Sequence, residues 1–266
     1  MFLPLVAVLM LTAGCHQVPV TGRSAVNLVS DEAVTKQSIE EFERIKSSQR
    51  LSRNRAHLAL VSRVGNRLSQ TVFWDMPLAD WEFVVFEAPG VVNAFAMPGG
   101  KVGVFSGLLD LVENEDQLAS VLAHEIAHVT ARHTHERYSQ DMLLKGGGLA
   151  TAVAVSAGGV GLSTGGVGSA YGGVAGLSQL SFDRGKEKEA DHIGLIYMAR
   201  AGYNPREALR FLEKMEGMMS GTSAAPAWLS THPAFPDRQL QLIDLMPKAL
   251  ETYENRGETA ARRVIE

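Results

Sequence analysis

The chain has 266 residues, of which 45% are apolar and 20% are charged. This composition is ordinary for a globular protein, is sufficient for one substantial core and excludes disorder over most of the chain. The formal net charge is −4, so no strongly basic surface indicates a nucleic acid as a partner.

The first residues are typical of a secretion signal. Met1 to Ala13 is almost wholly apolar and leads into Leu11-Thr12-Ala13-Gly14-Cys15, which resembles the end of a bacterial lipoprotein signal peptide. An apolar stretch of this length cannot cross a hydrocarbon core about 30 Å thick, because that needs roughly 20 residues. We therefore predict a cleaved signal peptide over residues 1–14.

Cys15 is the only cysteine, so the chain cannot form an internal disulfide. The resemblance to lipoproteins implies that Cys15 carries acyl chains, which anchor the protein to a membrane. Residues 15–29 are then expected to be a tether between the lipid and the domain. Because His16 and not Asp follows the cysteine, the resemblance implies the outer membrane of a bacterial envelope, with the protein facing the periplasm.

Residues 30–266 are expected to form one domain. Ser30 and the two acidic residues after it predict a helix to about Ser48, and a second helix is expected over residues 54–73. Runs of β-branched and aromatic residues predict strands at 81–87, 93–97 and 101–105. Further helices are expected at 184–201, 205–219 and 236–246. The predicted fold is α+β and mostly helical, with a small sheet of three or four strands.

The most informative motif is His124-Glu125-Ile126-Ala127-His128, which lies in an apolar run that predicts a helix. Four residues make a little over one helical turn, so His124 and His128 project from one face and can reach one metal ion. Glu125 lies about 100° round the helix, within reach of a water molecule on the metal. We expect the two histidines to be metal ligands and Glu125 to be the catalytic base.

A catalytic zinc ion usually has three protein ligands, so this motif requires a third donor from elsewhere in the chain. Downstream, Glu187 and Asp191 share one face of a predicted helix. We assign Glu187 to the metal and Asp191 to the N–H group of a ligand histidine, whose tautomer it would fix. The alternative is a solvated helix start, where acidic residues are common. The expected cofactor is one Zn²⁺ per chain.

Together, His124-Glu125-x-x-His128 and Glu187-x-x-Ala190-Asp191 resemble the gluzincin metallopeptidases, the family of the CAAX prenyl protease, HtpX and the beta-barrel assembly-enhancing protease. The resemblance extends from about Val20 to Leu245, with further matching stretches at 93–100 and 230–233. It implies a zincin-like domain in which the sheet precedes the metal-binding helix. The chain is most similar to the single-domain bacterial lipoproteins of this family.

The resemblance implies further site residues. An extended substrate would add to an edge strand by backbone hydrogen bonds, and the strand so implied consists of Asn93, Ala94, Phe95 and Ala96; the alternative is an ordinary buried strand. His232 would fill the open zinc position in a resting state or stabilise an oxyanion, against the alternative of a surface histidine. Arg238 would anchor substrate or a loop.

Two other features have expected roles. Gly146 to Phe182 contains no charged residue, and repeated glycines lower both hydrophobicity and helix propensity. We expect a lid or helical hairpin beside the site there, and not a membrane span. His133 and His135 are expected to continue the metal-binding helix. Each is expected either to be solvated or to contact a metal ligand without binding the metal itself.

Two functional classes follow. The first is a zinc-dependent metalloendopeptidase whose substrates are misfolded or misassembled proteins of the cell envelope. The second is a chaperone-like assembly factor that works with the outer-membrane assembly machinery and has a latent zinc site plugged by His232. The presence of Glu125 favours the peptidase, because a binding module has no use for a base beside the metal.

Overall fold

The computed structural model describes residues 15–144, 182–218, 226–233 and 236–256. The fold is α+β and mostly helical, with a small sheet ahead of the metal-binding helix, as the sequence predicts. In chain order the elements are β1 (Cys15–Gln17), β2 (Ser24–Val26), α1 (Asp31–Ser48), α2 (Arg55–Thr71), β3 (Glu82–Phe86), β4 (Ala94–Met97), β5 (Lys101–Phe105), α3 (Ser106–Leu111), α4 (Glu115–Thr130), α5 (His133–Leu144), α6 (Arg184–Arg200), α7 (Arg206–Gly217), α8 (Ala227–Thr231) and α9 (Pro236–Glu254).

The predicted helices begin where side chains cap them. Ser30 and Asn54 accept hydrogen bonds from backbone N–H groups in the first turns of α1 and α2, and these groups have no partner within the helix itself. The last helix runs past its predicted end to Glu254, with Pro247 inside it. Ala249 beyond the proline is fully buried, so packing against the core outweighs the helix-breaking tendency of proline.

The larger sheet has the strand order β3-β5-β4, with β5 parallel to β3 and antiparallel to β4. Every residue of β5 is buried, as expected of a central strand that is covered on both faces. Within the described part of the chain β4 is an edge strand. The turn from β4 to β5 uses Gly99 and Gly100 at φ angles of 89° and 84°, a region that residues with a Cβ rarely adopt.

The structure corrects the prediction of a free tether over residues 15–29. β1 pairs antiparallel with β2, and Cys15 lies opposite Val26 in the register. Three apolar side chains of this segment, Val18, Ala25 and Val29, are buried. Because burying them removes apolar surface from water, the N-terminal hairpin is part of the folded domain.

The metal-binding helix also ends earlier than predicted. α4 stops at Thr130, and Arg132 adopts a φ angle of 57°. This left-handed residue turns the chain, so His133 starts the separate helix α5. His133 and His135 therefore do not continue the helix of the ligands, and α5 can direct them back towards it.

The glycine-rich segment predicted as a lid, residues 146–182, lies outside the described residues except for Phe182. Among the helices that are described, none combines the length and the apolar character needed to cross a bilayer.

The two helices that carry the predicted metal ligands pack closely against each other. Gly194 on α6 faces the backbone of α4, and a Cβ atom built on it would lie 2.9 Å from His124 N and 3.0 Å from His124 Cα. Real Cβ atoms do not approach other atoms so closely, since interiors are tightly packed. Glycine at this position therefore sets the distance between the helices.

We predict that Gly194→Ala lowers the free energy of unfolding by about 1–3 kcal/mol, because the added methyl group overpacks the contact between α4 and α6. Gly217→Ala is the matched control, since a Cβ there meets nothing within 4 Å. Urea titration of both variants measures the difference. Equal loss of stability in the two variants would contradict the close approach at Gly194.

Candidate metal centre

Four buried side chains, those of His124, His128, Glu187 and His232, converge at one point. One nitrogen or carboxylate oxygen from each lies within 4.8 Å of the other three. His124 Nε2 is 3.1 Å from His128 Nε2 and 3.2 Å from His232 Nδ1. His232 Nδ1 is 3.1 Å from Glu187 Oε1. The structure thus brings the three predicted ligands together with His232, which the resemblance implied for the fourth position or for an oxyanion.

Three separate elements supply this cluster. α4 holds the rings of His124 and His128 one turn apart, with centroids separated by 4.7 Å. Glu187 lies in the first turn of α6, which Asp183 caps by accepting a backbone hydrogen bond. His232 follows directly after α8. Because these elements are distant in the sequence, only tertiary packing assembles the four donors.

Asp191 and Arg238 orient the first histidine. His124 Nδ1 lies 3.0 Å from Asp191 Oδ1. A carboxylate oxygen only accepts, so the Nδ1 atom of His124 carries a proton, and Nε2 is the atom that can bind a metal once the ring is neutral. Arg238 donates to both oxygens of Asp191 at 2.7 Å. Burial raises the pKa of Asp191, but Arg238 and His124 outweigh burial and hold that pKa below its usual value.

A second set of side chains orients His128, and of these the sequence offered only His133, whose contact with a metal ligand was one of two alternatives. His133 Nδ1 lies 2.8 Å from His128 Nδ1, and His133 Nε2 lies 3.0 Å from Glu189 Oε2. Burial lowers the pKa of both histidines, so their neutral forms are favoured. Glu189 in turn contacts Arg23 of the N-terminal hairpin. The spacing His128-x₄-His133 was visible in the sequence, but the break at Arg132 was needed to direct the second ring inward.

Glu125 lies beside the cluster. Its Oε1 accepts a hydrogen bond from Trp228 Nε1 at 2.9 Å and lies 3.2 Å from His232 Nε2. Trp228 is a further functional residue that sequence reasoning missed, because it is more than 100 residues away and belongs to a short helix without a clear sequence signal. The indole fixes the position of the carboxylate next to the converging donors.

Arg238 also reaches the loop that carries His232. Its Nη1 atom donates to the carbonyl oxygens of His232 and Pro233 at 3.2 Å each. The side chain is 1% exposed in the described structure and lines a small cavity beside His124 and Asp191. Of the two predicted roles, the geometry supports the loop anchor.

The charges of the site suit a divalent cation. Burial raises the pKa of Glu187, but His232 and the other cluster histidines outweigh burial and hold the pKa well below its usual value. Burial lowers the pKa of His124, but Asp191 and Glu187 outweigh it and raise the pKa to about 9. Imidazole nitrogens together with one carboxylate are a donor set that Zn²⁺ prefers. The residues present therefore fit the expected cofactor, and binding it displaces a proton from His124.

A small pocket lies between this cluster and the edge strand. Its walls include the predicted substrate strand, Asn93, Ala94, Phe95 and Ala96, together with Glu125, His128, Thr134, Phe182, Thr231 and His232. The ring of Phe182 stacks on His128, with centroids 4.1 Å apart. The pocket thus has β4 on one side and the cluster on the other, and Asn93, Ala94 and Phe95 are themselves buried.

Peptidase family M48 is the family whose model matches this chain, over residues 57–244. The chain is 36% identical over 179 residues to the mitochondrial metalloendopeptidase OMA1 of Saccharomyces cerevisiae, covering 65% of this chain and 49% of that protein. It is 33% identical over 235 residues to OMA1 of Schizosaccharomyces pombe, covering 87% and 66%. It is 39% identical over 159 residues to the beta-barrel assembly-enhancing protease of Yersinia pestis, covering 56% and 31%.

The chain therefore spans only part of the length of these relatives, from 31% to 66%. The range matched by the family model includes all four cluster residues and Glu125. On this match, and with the predicted gluzincin motifs placed together in the structure, the chain belongs to Peptidase family M48.

Proposed function

We propose that this chain is a zinc-dependent metalloendopeptidase. The observation that carries the proposal is the buried convergence of His124, His128 and Glu187 with Glu125 directly beside them. Three protein donors leave one position of a tetrahedral ion for water or substrate. Membership of Peptidase family M48 supports the same class of reaction.

In the proposed site His124, His128 and Glu187 hold the metal, and Asp191 keeps His124 in the tautomer that can bind. Zinc bound there polarises a peptide carbonyl and lowers the pKa of water to about 7. The carboxylate of Glu125 accepts a proton from the attacking water and passes it to the leaving amine. Trp228 holds that carboxylate in place through its N–H group.

The substrate would bind as an added strand on β4. Asn93, Ala94, Phe95 and Ala96 line the same pocket as Glu125, and β4 is an edge of its sheet. Main-chain pairing supplies affinity without demanding a particular sequence. This mode suits unfolded segments, because their backbone groups are free to pair.

We further propose that the substrates are misfolded or misassembled proteins of a bacterial envelope. The signal-like residues 1–14 and Cys15 support an outer-membrane lipoprotein, and the name of the relative from Yersinia pestis refers to beta-barrel assembly. The relatives named OMA1 are mitochondrial, so the family as a whole occurs in more than one location. The enzyme chemistry of the site is the same in either location.

We predict that Glu125→Gln retains zinc but lowers cleavage of an unfolded model protein by roughly 10²- to 10⁴-fold, because the amide cannot accept the proton. The matched control is Glu115→Gln, an exposed carboxylate on the same helix. Zinc content and cleavage rate are measured for both variants. Equal cleavage by wild type and Glu125→Gln would contradict the peptidase mechanism.

One observation favours the second candidate function, a latent site. His232 Nδ1 is among the four converging atoms, and His232 Nε2 lies 3.2 Å from Glu125 Oε1. The ring would therefore fill the fourth position of a bound ion and would also contact one oxygen of Glu125. In this arrangement His232 acts as a plug, and a protein that kept the plug permanently would serve as an assembly factor instead of a peptidase.

We predict that His232→Ala raises the cleavage rate, because it frees both the fourth position and Glu125. His57→Ala, which removes a histidine from the distant α2, is the control. The rate is measured on the same unfolded protein, together with zinc content. A large loss of cleavage with zinc retained would contradict the plug and favour a role for His232 in stabilising an oxyanion.

A further inference from the structure

Arg23, in the N-terminal hairpin, joins two carboxylates from different helices. Its Nε and Nη2 atoms donate to Glu189 Oε2 at 2.8 and 2.6 Å, and its Nη1 atom donates to Glu136 Oε2 at 3.2 Å. Thr21, in the same hairpin, donates its hydroxyl to Glu189 Oε1 at 2.7 Å. The hairpin therefore holds the Glu189 carboxylate through both of its oxygens.

Glu189 determines where the protons lie on the two histidines beyond it. A carboxylate has no hydrogen to donate, so His133 must carry its proton on Nε2, which faces Glu189 Oε2. The neutral ring then has a lone pair on Nδ1, which faces His128 Nδ1 at 2.8 Å. His128 must donate from Nδ1, and this leaves the lone pair of its Nε2 directed at the cluster.

We propose that the N-terminal hairpin positions a metal ligand, with Arg23 acting through Glu189 and His133 to hold His128 in the tautomer that binds zinc. The inference rests on the proposed zinc site. It gives residues 15–29, which the sequence predicts to be only a tether, a role in holding a metal ligand. Arg23 is a positioning residue, since its guanidinium group binds Glu136 and Glu189 and reaches the metal cluster only through Glu189 and His133.

A plain surface ion pair would not have this effect, because exposed pairs contribute little. Here the Arg23 side chain is 38% exposed, but those of Glu136 and Glu189 are only 11% and 9% exposed. His133 is fully buried. Loss of Arg23 would leave two largely buried carboxylates without their cation, and the chain of hydrogen bonds to His128 would lose its fixed end.

The test measures the dissociation constant of zinc by chelator competition on the full chain. Arg23→Ala is expected to raise that constant by about tenfold or more, as other changes behind a metal ligand do. Arg23→Lys keeps the charge but not the paired hydrogen bonds, so it is expected to have a smaller effect. Arg63→Ala, which removes a comparable but exposed pair with Glu115, is expected to leave the constant unchanged.

Glu189→Gln provides a second variant that keeps the shape of the side chain, and it too is expected to weaken zinc binding. Lower thermal stability of Arg23→Ala and Glu189→Gln with an unchanged zinc constant would overturn the inference and make the network structural only. If the wild-type protein does not bind zinc, the proposed function itself is overturned. This outcome is distinct from failure of the inference, because it is measured on the wild type alone.

A different part of the surface carries an independent inference. The loop after α2 exposes three large apolar side chains, Phe73 at 51%, Trp74 at 68% and Leu78 at 96%. The rings of Phe73 and Trp74 pack edge to face, with centroids 5.2 Å apart. The single charged residue between Phe73 and Leu78 is Asp75, whose carboxylate accepts a hydrogen bond from Tyr197 of α6. The outward side of this loop is therefore apolar.

This apolar loop lies beside the N-terminal end of the domain. His16, the residue after Cys15, lines one cleft together with Asp75 and Leu78. His16 Nε2 lies 3.3 Å from the carbonyl oxygen of Thr130, whose hydroxyl contacts the same Tyr197 that binds Asp75. The first described residues of the chain therefore lie beside the part of the loop that carries Leu78.

We propose that the loop of Phe73, Trp74 and Leu78 rests on a lipid bilayer. Acyl chains on Cys15 would hold this face against the membrane, and aromatic side chains favour the region between lipid headgroups and acyl chains. The metal cluster would then be held at a fixed orientation to the bilayer. This inference concerns orientation and does not depend on the zinc chemistry.

Tryptophan quenching tests the contact in the full chain bound to phosphatidylcholine vesicles that contain brominated acyl chains. The chain has three tryptophans, so Trp74→Phe is compared with Trp81→Phe, whose ring stacks on Phe83. The expected result is strong quenching in wild type and in Trp81→Phe, and loss of most of it in Trp74→Phe. Quenching that is absent, or unchanged by Trp74→Phe, would overturn the proposal.

The alternative partner for the loop of Phe73, Trp74 and Leu78 is a second copy of the chain. Sedimentation of the detergent-dispersed full chain and of its Trp74→Ser variant tests this alternative. A dimer in the wild type that Trp74→Ser converts to a monomer would overturn the membrane contact. An unchanged monomer in both supports it, with Leu240→Ser on α9 as an exposed apolar control.

Discussion

A buried histidine can bind a metal only if it presents a lone pair, and the rest of this site depends on that constraint. Both ligand histidines carry a proton on Nδ1, His124 because Asp191 faces it and His128 because His133 does. Each arrangement ends in an arginine that holds a carboxylate: Arg238 in one case and Arg23 in the other. The network therefore makes Nε2 the metal-binding atom of both rings, and the ion displaces the second proton of His124.

The need to orient the ligand histidines also explains why charged side chains are buried beside the metal cluster. Taking ions out of water is costly, and removing one partner of a buried pair commonly costs 3–5 kcal/mol, yet Arg238 is almost wholly buried beside Asp191 and Glu187. These groups offset one another and add hydrogen bonds to the loop of His232. Close packing of α4 and α6 at Gly194 then brings the two ligand helices to one ion.

The sequence predicted the parts of the site that follow from helical periodicity. His124, Glu125 and His128 share one turn, and Glu187 with Asp191 another, so the spacing alone placed these groups. Trp228 and Arg23 were missed, since each acts across more than 100 residues and no local pattern records such contacts. The prediction of a tether failed for a related reason. Val18, Ala25 and Val29 are buried only because the rest of the domain packs against them, and the sequence of this short segment does not show that contact.

The most direct test of the account is the position of the metal. Crystals of zinc-loaded protein should show one anomalous scattering peak at the zinc absorption edge, within about 2.0–2.2 Å of His124 Nε2, His128 Nε2 and a Glu187 carboxylate oxygen. The refined structure from the same crystals should have the two Nδ1 atoms facing Asp191 and His133. A peak elsewhere, or an ion that binds either histidine through Nδ1, would contradict the proposed metal centre.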